Sequence, residues 1–270
     1  NVLPWRRTAH ETGAGVVTVA MPRDGDWTQA ILDRIDRTTR VVAVSTCHWT
    51  NGARIDLRPI SDVCRTTDRI LVVDATQSLG AMPLSIGQIR PDFLIAAGYK
   101  WLLCPYGFGL LYVSGQWRDA RPLEETWLAR HLAEDFASLV KYSDTYRPGA
   151  RRFDVGETCT PSILPGAVAA LEQIREWGIE HIETTLSATN ARIASCLEAL
   201  EFQLPRQEQR CGHMFGAQLP NGRTGNLVAD LRNRRIYISQ RGEALRFAPH
   251  LHINDADVGR LVESLREFVQ

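Results

Sequence analysis

The feature that most constrains the fold is the alternation, along the first 113 residues, of continuous apolar runs with segments in which apolar residues recur at helical spacing. Trp27, Ile31 and Ile35 form one such helical segment between two of the runs. The runs themselves are rich in β-branched residues and almost continuously apolar, as strands covered on both faces tend to be. They lie at 15–21, 41–46, 70–74, 92–96 and 108–113. This alternation predicts an α/β fold with a mainly parallel sheet sandwiched by helices.

The pattern changes after Ser114. A polar, arginine-rich stretch precedes an amphipathic helix that ends at Gly178, and a second helix is predicted over roughly 180–201. Short strands are predicted near 213–219, 235–239 and 245–248, followed by a terminal helix that the side chain of Asn254 is expected to cap. We therefore predict two domains, a large one at 1–150 and a smaller C-terminal α+β domain at 151–270.

Composition excludes several classes of partner. The chain has 270 residues with 31 basic and 31 acidic side chains, so no net field favours nucleic acid or an anionic membrane surface. Its longest apolar runs are too short to span a bilayer. Six cysteines lie far apart without a CxxC pair, which is typical of reduced thiols and predicts a cytoplasmic location.

Two charged residues are predicted at one edge of the sheet. Asp74 closes the strand at 70–74, and Lys100 follows the strand at 92–96. Ligands of parallel sheets gather at the carboxyl ends of the strands. The residues beside Lys100 are mostly apolar, and a desolvated amine has a lowered pKa and becomes nucleophilic. Pyridoxal 5′-phosphate needs such a lysine for its Schiff base and a carboxylate at its pyridine nitrogen, so this layout predicts a site for that cofactor.

Other interpretations of these residues stay open. Asp74 alone could bind the ribose of a nucleotide or cap the following turn, although no GxGxxG motif follows the first strand. A lone lysine is usually a surface charge. His48 is as well explained by a structural role as by cofactor contact. His250 and His252 have no further ligand at suitable spacing, so no metal site is predicted.

Several motifs in order resemble the aminotransferase class V family, which contains cysteine desulfurases, kynureninases and isopenicillin N epimerase. The motifs include HWTN at 48–51, VDATQS at 73–78, GYKWLLCPYGFGLLYV at 98–113, RRFDVGETCTPSILPGAVAAL at 151–171 and LRFAPHLHIN at 245–254. The resemblance implies the large domain of fold type I pyridoxal phosphate enzymes, a small C-terminal domain, and a homodimer.

The resemblance also implies a role for each site residue. Lys100 forms the Schiff base with the cofactor and later moves the proton at the substrate α-carbon. Asp74 pairs with the pyridine nitrogen, and Gln77 approaches the phenolic oxygen. Asn51 lies near the same oxygen and the substrate carboxylate. Arg246 clamps the substrate α-carboxylate, for which a guanidinium fork is well shaped.

Phosphate binding is where the chain departs from the family pattern. Thr158 occupies a position that often supplies a phosphate contact to the partner subunit, and His48 lies where it could touch the cofactor. Ala97 stands where family members commonly have a phosphate-binding serine. The family's phosphate loop and the residue that stacks on the pyridine ring match nothing in this chain, because they lie upstream of its first motif. We therefore expect a large domain that is incomplete at its N-terminal side.

The reaction is less constrained than the cofactor. No cysteine occurs in YISQRGEALR at 237–246, where cysteine desulfurases place their nucleophile, so the persulfide route is not predicted. Transamination, racemisation or elimination of an amino acid or amine all remain possible. Two other classes stay open: a truncated or degenerate homologue without independent catalysis, and a nucleotide-binding α/β domain.

Overall fold

A four-stranded sheet organises the first half of the molecule. The computed structural model describes residues 2–158, 160–220 and 226–269. The strands of this sheet are β1 (Val41–Ser45), β2 (Ile70–Asp74), β3 (Phe93–Ala97) and β4 (Gly109–Val113). In the order β1-β2-β3-β4, the first three strands are parallel and β4 is antiparallel to β3. The prediction of a mainly parallel sheet is confirmed.

Three short helices pack beside this sheet: α2 (Trp27–Leu32) precedes β1, while α3 (Leu57–Thr66) and α4 (Ile86–Ile89) connect β1 to β2 and β2 to β3. The first helix, α1 (Val2–Thr12), has no buried residue. Asp26 and Asp56 cap α2 and α3, because each carboxylate accepts a backbone hydrogen bond from the first turn. The buried apolar faces of α2, α3 and α4 pack against the sheet in one cluster.

The strand predicted at 15–21 is wrong. This segment has no regular structure and no partner in either sheet, and the side chains of Val16 and Val17 are 46% and 65% exposed. A strand is stabilised by hydrogen bonds to a neighbouring strand, whereas the apolar sequence records only a preference for extended backbone. Without such a neighbour, that preference produces no strand.

The C-terminal half contains two long helices and a three-stranded sheet. The helix α5 (Leu164–Trp177) ends at Gly178, as predicted, and α6 (Ile179–Glu198) follows directly. The antiparallel sheet consists of β5 (Phe215–Gln218), β6 (Ser239–Arg241) and β7 (Ala244–Phe247), in the order β5-β7-β6. The remaining helices are α7 (Leu227–Asn233) and the terminal helix α8 (Asp255–Val269). Asn254 caps α8 through its side-chain oxygen, which accepts from the amides of Ala256 and Asp257.

Apolar residues form two separate buried clusters. The first lies around the larger sheet and includes Ile174 of α5 and Leu186 of α6. The second lies between the smaller sheet and α8, and it begins with Ile193 of α6. The helix α6 therefore contributes to both clusters. The domain division into 1–150 and 151–270 stays a prediction.

Two further observations concern the described part of the chain. No helix there is long and apolar enough to cross a membrane. The five cysteines within it are free thiols, and all but Cys196 are buried. Cys159 lies outside the described residues.

Candidate active site

The carboxyl ends of β1, β2 and β3 meet at one edge of the larger sheet, and this edge holds both predicted charged residues. Asp74 is the last residue of β2, and its carboxylate accepts a hydrogen bond of 2.9 Å from the amide of Thr76. Lys100 lies three residues beyond β3 and is half-buried. Burial lowers the pKa of Lys100, and the charge of Asp74 opposes this shift. The two side chains thus lie within electrostatic reach of each other.

The loop that carries Lys100 is closed by backbone hydrogen bonds. The amide of Gly98 donates to the carbonyl of Phe108 at 2.9 Å, and the amide of Cys104 donates to the carbonyl of Gly98 at 3.0 Å. Trp101 is buried beside the lysine. Only one other lysine occurs in the chain, Lys141, and it is exposed. The half-buried position is therefore specific to Lys100.

The HWTN loop follows β1 and is held by its own side chains. The His48 ring stacks on Trp27 with a centroid distance of 4.6 Å, and its Nδ1 lies 3.0 Å from Oδ1 of Asn51. Burial lowers the pKa of His48. Asn51 is buried and its Oδ1 also accepts from the amide of Ala53. These contacts give His48 a structural role, and its predicted contact with the cofactor stays a prediction.

Gly52 fixes the turn that ends this loop. Its φ is +66°, and a Cβ at this position would lie 2.2 Å from the carbonyl oxygen of Met214. A side chain here would therefore meet both backbone strain and a clash. The glycine lets the loop approach the segment that leads into β5.

The backbone of Gln77 is held by hydrogen bonds from two residues that sequence analysis did not identify. Its carbonyl oxygen accepts a hydrogen bond from Nε2 of His213 at 2.5 Å and one from the thiol of Cys47 at 3.7 Å. The His213 ring also meets the Trp101 ring edge-on, with centroids 4.7 Å apart. His213 therefore supports both the segment after Asp74 and the lysine loop. Its only signal in the sequence is a polar residue beside an apolar run.

His213 is expected to make the protein sensitive to acid. Burial lowers its pKa to about 4 from an ordinary value of 6.5. The unfolded chain binds the proton on this histidine more tightly than the folded protein does. The contribution of neutral His213 to the free energy of unfolding is therefore fully present above pH 6.5 and is lost as the pH falls towards 4. The loss approaches about 3 kcal/mol.

Urea unfolding across this pH range measures the effect. His213→Gln keeps a donor for the Gln77 carbonyl but does not titrate, so its stability should fall less steeply with acid. Equal slopes for the two proteins would contradict the assignment.

Arg246 approaches the same region from the smaller sheet. It lies in β7, and its Nη1 donates to the carbonyl of Trp49 at 3.0 Å. Its Nε is buried without a hydrogen-bond partner among the described residues. Burial and the neighbouring Arg241 lower the pKa of Arg246, and Arg246 in turn lowers the pKa of Lys100. A desolvated guanidinium with an unused donor is suited to binding a carboxylate.

Two residues bear on the predicted phosphate contacts, Thr158 and Ala97. Thr158 is exposed in the loop between the 3₁₀ helix Gly149–Phe153 and α5, so its role stays a prediction. Ala97 has no hydroxyl to offer, and its amide donates instead to Oγ1 of Thr76 at 3.0 Å. This bond ties the ends of β2 and β3 together beside Asp74.

The donor set fits pyridoxal phosphate by its chemistry. An amine of lowered pKa, a carboxylate at a strand end and a guanidinium with an unused buried donor correspond to the aldehyde, the pyridine nitrogen and a substrate carboxylate. No group of three or more metal-ligating side chains occurs in the described ranges. A parallel sheet that presents this set is typical of the fold type I pyridoxal phosphate enzymes.

The chain belongs to the aminotransferase class V family, whose model matches residues 1–256. Members of this family use pyridoxal phosphate. The resemblance inferred from the motifs is therefore confirmed.

Individual relatives carry several different names. An uncharacterised aminotransferase, YcbU of Bacillus subtilis, is 24% identical over 86% of this chain and 60% of its own length. A probable cysteine desulfurase of Pyrococcus abyssi is 28% identical over 74% of this chain and 49% of its own length. An isopenicillin N epimerase of Streptomyces clavuligerus is 22% identical over 97% of this chain and 69% of its own length. The chain thus spans about half to two thirds of the length of these relatives.

Solved structures share the fold. The apo cysteine desulfurase of Thermococcus onnurineus NA1 has a TM-score of 0.84 at 22% identity, covering 99% of this chain and 69% of that one. The cystine C-S lyase C-DES, solved with its product cysteine persulfide, has a TM-score of 0.86 at 20% identity, covering 98% and 71%. The predicted fold class, a fold type I large domain followed by a smaller α+β part, is confirmed.

Proposed function

We propose that the whole protein is a pyridoxal phosphate enzyme that changes bonds at the α-carbon of an amino acid or amine. The observation that carries this proposal is the half-buried Lys100 beside Asp74 at the carboxyl edge of the sheet, with Arg246 facing them from the smaller sheet. Membership of the class V family supports the same conclusion.

When bound, the cofactor supplies an electron sink for the electron pair left at the substrate α-carbon. Asp74 would hold the pyridine nitrogen in its protonated form, because an ionised carboxylate stabilises a neighbouring positive charge. Gln77 and Asn51 would donate to the phenolic oxygen from the two loops that flank Asp74. The phosphate would be held by Thr158 of a partner subunit, and His48 would contact the cofactor.

Lys100 would carry the cofactor through a Schiff base. Burial lowers the pKa of its amine, so a larger fraction is neutral and nucleophilic at physiological pH. The Lys100 amine would also accept the proton from the substrate α-carbon and return it. This single group thus both anchors the cofactor and moves the proton.

Arg246 would bind the substrate α-carboxylate. Its position is fixed by the Trp49 carbonyl, while its Nε has no partner among the described side chains and backbone groups. Binding the carboxylate to this fork would fix the orientation of the α-carbon above the cofactor.

Sulfur transfer through a cysteine nucleophile is disfavoured. Cys47, whose thiol donates to the carbonyl of Gln77, and its neighbour Cys211 are both buried. A hydrogen bond with Cys211, together with burial, raises the pKa of Cys47 well above its ordinary value, so this thiol stays protonated. No cysteine follows Cys211 in the chain. Transamination, racemisation or elimination are the reactions we propose.

We also propose a cytoplasmic homodimer. The polar segment between β4 and α5 exposes large apolar side chains, among them Phe136 and Val140 at 73% and 81% exposure. Burial of such side chains against a second copy would remove them from water. It would also allow Thr158 to reach the partner's site.

The most general test is exchange of the α-proton. Incubated with pyridoxal phosphate in deuterated water, the protein is expected to replace the α-proton of at least one amino acid with deuterium. Proton NMR of an amino acid panel measures this, and it detects transamination, racemisation and elimination alike, because each reaction breaks a bond at this carbon.

Two outcomes would contradict the proposal. Cofactor binding without exchange on any amino acid or amine would indicate a degenerate homologue. Tighter binding of NAD than of pyridoxal phosphate, measured by calorimetry, would indicate a nucleotide-binding domain.

A further inference from the structure

A second arginine lies on the same face of the smaller sheet as Arg246. Arg241 of β6 pairs directly with Ala244 of β7, and Ala244 is two residues from Arg246. Directly paired residues point to the same face, and so do residues two apart along one strand. Arg241 and Arg246 are therefore diagonal neighbours on one surface.

This face of the sheet lies against the HWTN loop. The guanidinium carbon of Arg241 is 5.9 Å from the centroid of the Trp49 ring, while Arg246 donates to the Trp49 carbonyl. Gly216 pairs with Arg246, and a Cβ there would lie 2.8 Å from the Cα of Asn51. The absence of a side chain at Gly216 lets Asn51 approach this face of the sheet closely, beside Arg246.

The charge of Arg241 is not balanced within the described chain. Arg241 forms no ion pair with any described carboxylate, and its Nη1 donates only to the carbonyl of Gln240, at 2.8 Å. It lies close enough to lower the pKa of both Arg246 and Lys100. One arginine suffices for a substrate α-carboxylate, so the site holds one cation more than that role needs.

We propose that Arg241 binds a second anionic group of the substrate, and that the substrate class is amino dicarboxylic acids. This inference rests on the proposed function of the same site. With Arg246 on the α-carboxylate, Arg241 would receive the carboxylate at the end of the side chain. Diagonal neighbours in a sheet lie about 7–8 Å apart, with their Cβ atoms somewhat closer. Two long arginine side chains starting from this spacing can reach both carboxylates of an acid with about four to six carbons.

Glutamate and glutamine form the decisive pair of ligands because they have nearly the same shape and differ in the side-chain charge. In cofactor-loaded protein, Arg241→Gln is expected to weaken glutamate binding about 10- to 100-fold, as expected for a lost charged hydrogen bond. Glutamine binding should change less than about 3-fold. The change in cofactor absorbance on titration measures both. Arg232→Gln, at an exposed helical position, is the matched control and should affect neither.

Arg241→Lys separates charge from packing. Lysine keeps the positive charge and is expected to retain a preference for glutamate over glutamine, although a weaker one. If Arg241 only packs on Trp49, Arg241→Gln would weaken both ligands equally or neither, and the inference would be overturned.

Binding measurements without the cofactor distinguish a failure of this inference from a failure of the proposed function. Without pyridoxal phosphate, glutarate should bind more tightly than pentanoate, and both Arg241→Gln and Arg246→Gln should remove the difference. Ligand-observed NMR measures these affinities. Loss of the preference in both variants, with no covalent cofactor binding, would refute the proposed function and keep the anion site. Covalent cofactor binding with no glutarate preference would refute the second-anion site alone.

Discussion

Replacing Lys100 with alanine is expected to lower α-proton exchange by about a thousandfold or more. In the function we propose, this amine both carries the cofactor and moves the proton, and each role alone contributes orders of magnitude to the rate. Since Lys100 is partly exposed at a loop, the fold should survive the change. Exchange rates at saturating cofactor measure the loss, and circular dichroism verifies folding.

Lys141→Ala is the natural control because Lys141 is the chain's only other lysine and is exposed. It should leave exchange unchanged. If Lys100→Ala retained more than about a tenth of the rate, a different base would have to act, since a positioned base contributes at least about a hundredfold.

Asp74→Asn is expected to produce the second-largest loss, about a hundred- to a thousandfold in kcat. Asparagine has the same shape and keeps an oxygen acceptor for the Thr76 amide, but it removes the negative charge that we propose for the pyridine nitrogen. Losing one preorganised electrostatic partner of a developing charge costs this order of magnitude. Steady-state kinetics should show the loss in kcat more than in KM.

Asp56→Asn tests whether any lost carboxylate has this effect. Asp56 caps α3, and asparagine caps a helix about as well as aspartate does. Turnover of this variant should match that of the unmodified protein. An Asp74→Asn enzyme with more than about a third of normal kcat would show that the carboxylate does not serve the cofactor.

Much of the fold was predictable because local patterns agreed with tertiary packing. The four strands of the larger sheet, the end of α5 at Gly178 and the cap at Asn254 follow from β-branched runs and known helix signals. The strand expected at 15–21 failed because strand formation needs a neighbour that local sequence does not specify. The short helix α7 was missed because two turns carry little periodicity.

The residues of the candidate site could likewise be predicted from the sequence only in part. Lys100 and Asp74 were predictable, since each ends an apolar run at the same edge of the sheet. The role of Arg246 came from its motif. His213 and Arg241 were not identified, because their importance depends on contacts with Gln77 and Trp49, more than 130 residues away in the chain. Contacts of that kind leave no local pattern.

Chemical trapping of the cofactor tests the central claim most directly. Borohydride reduces a Schiff base to a stable amine, so peptide mapping by mass spectrometry can locate the cofactor after reduction. With only two lysines in the chain, the possible carriers are Lys100, Lys141 and the terminal amine. We predict stoichiometric modification of the peptide that contains Lys100. Modification of Lys141 or the terminal amine instead, or no covalent adduct at saturating pyridoxal phosphate, would contradict the assignment of this site.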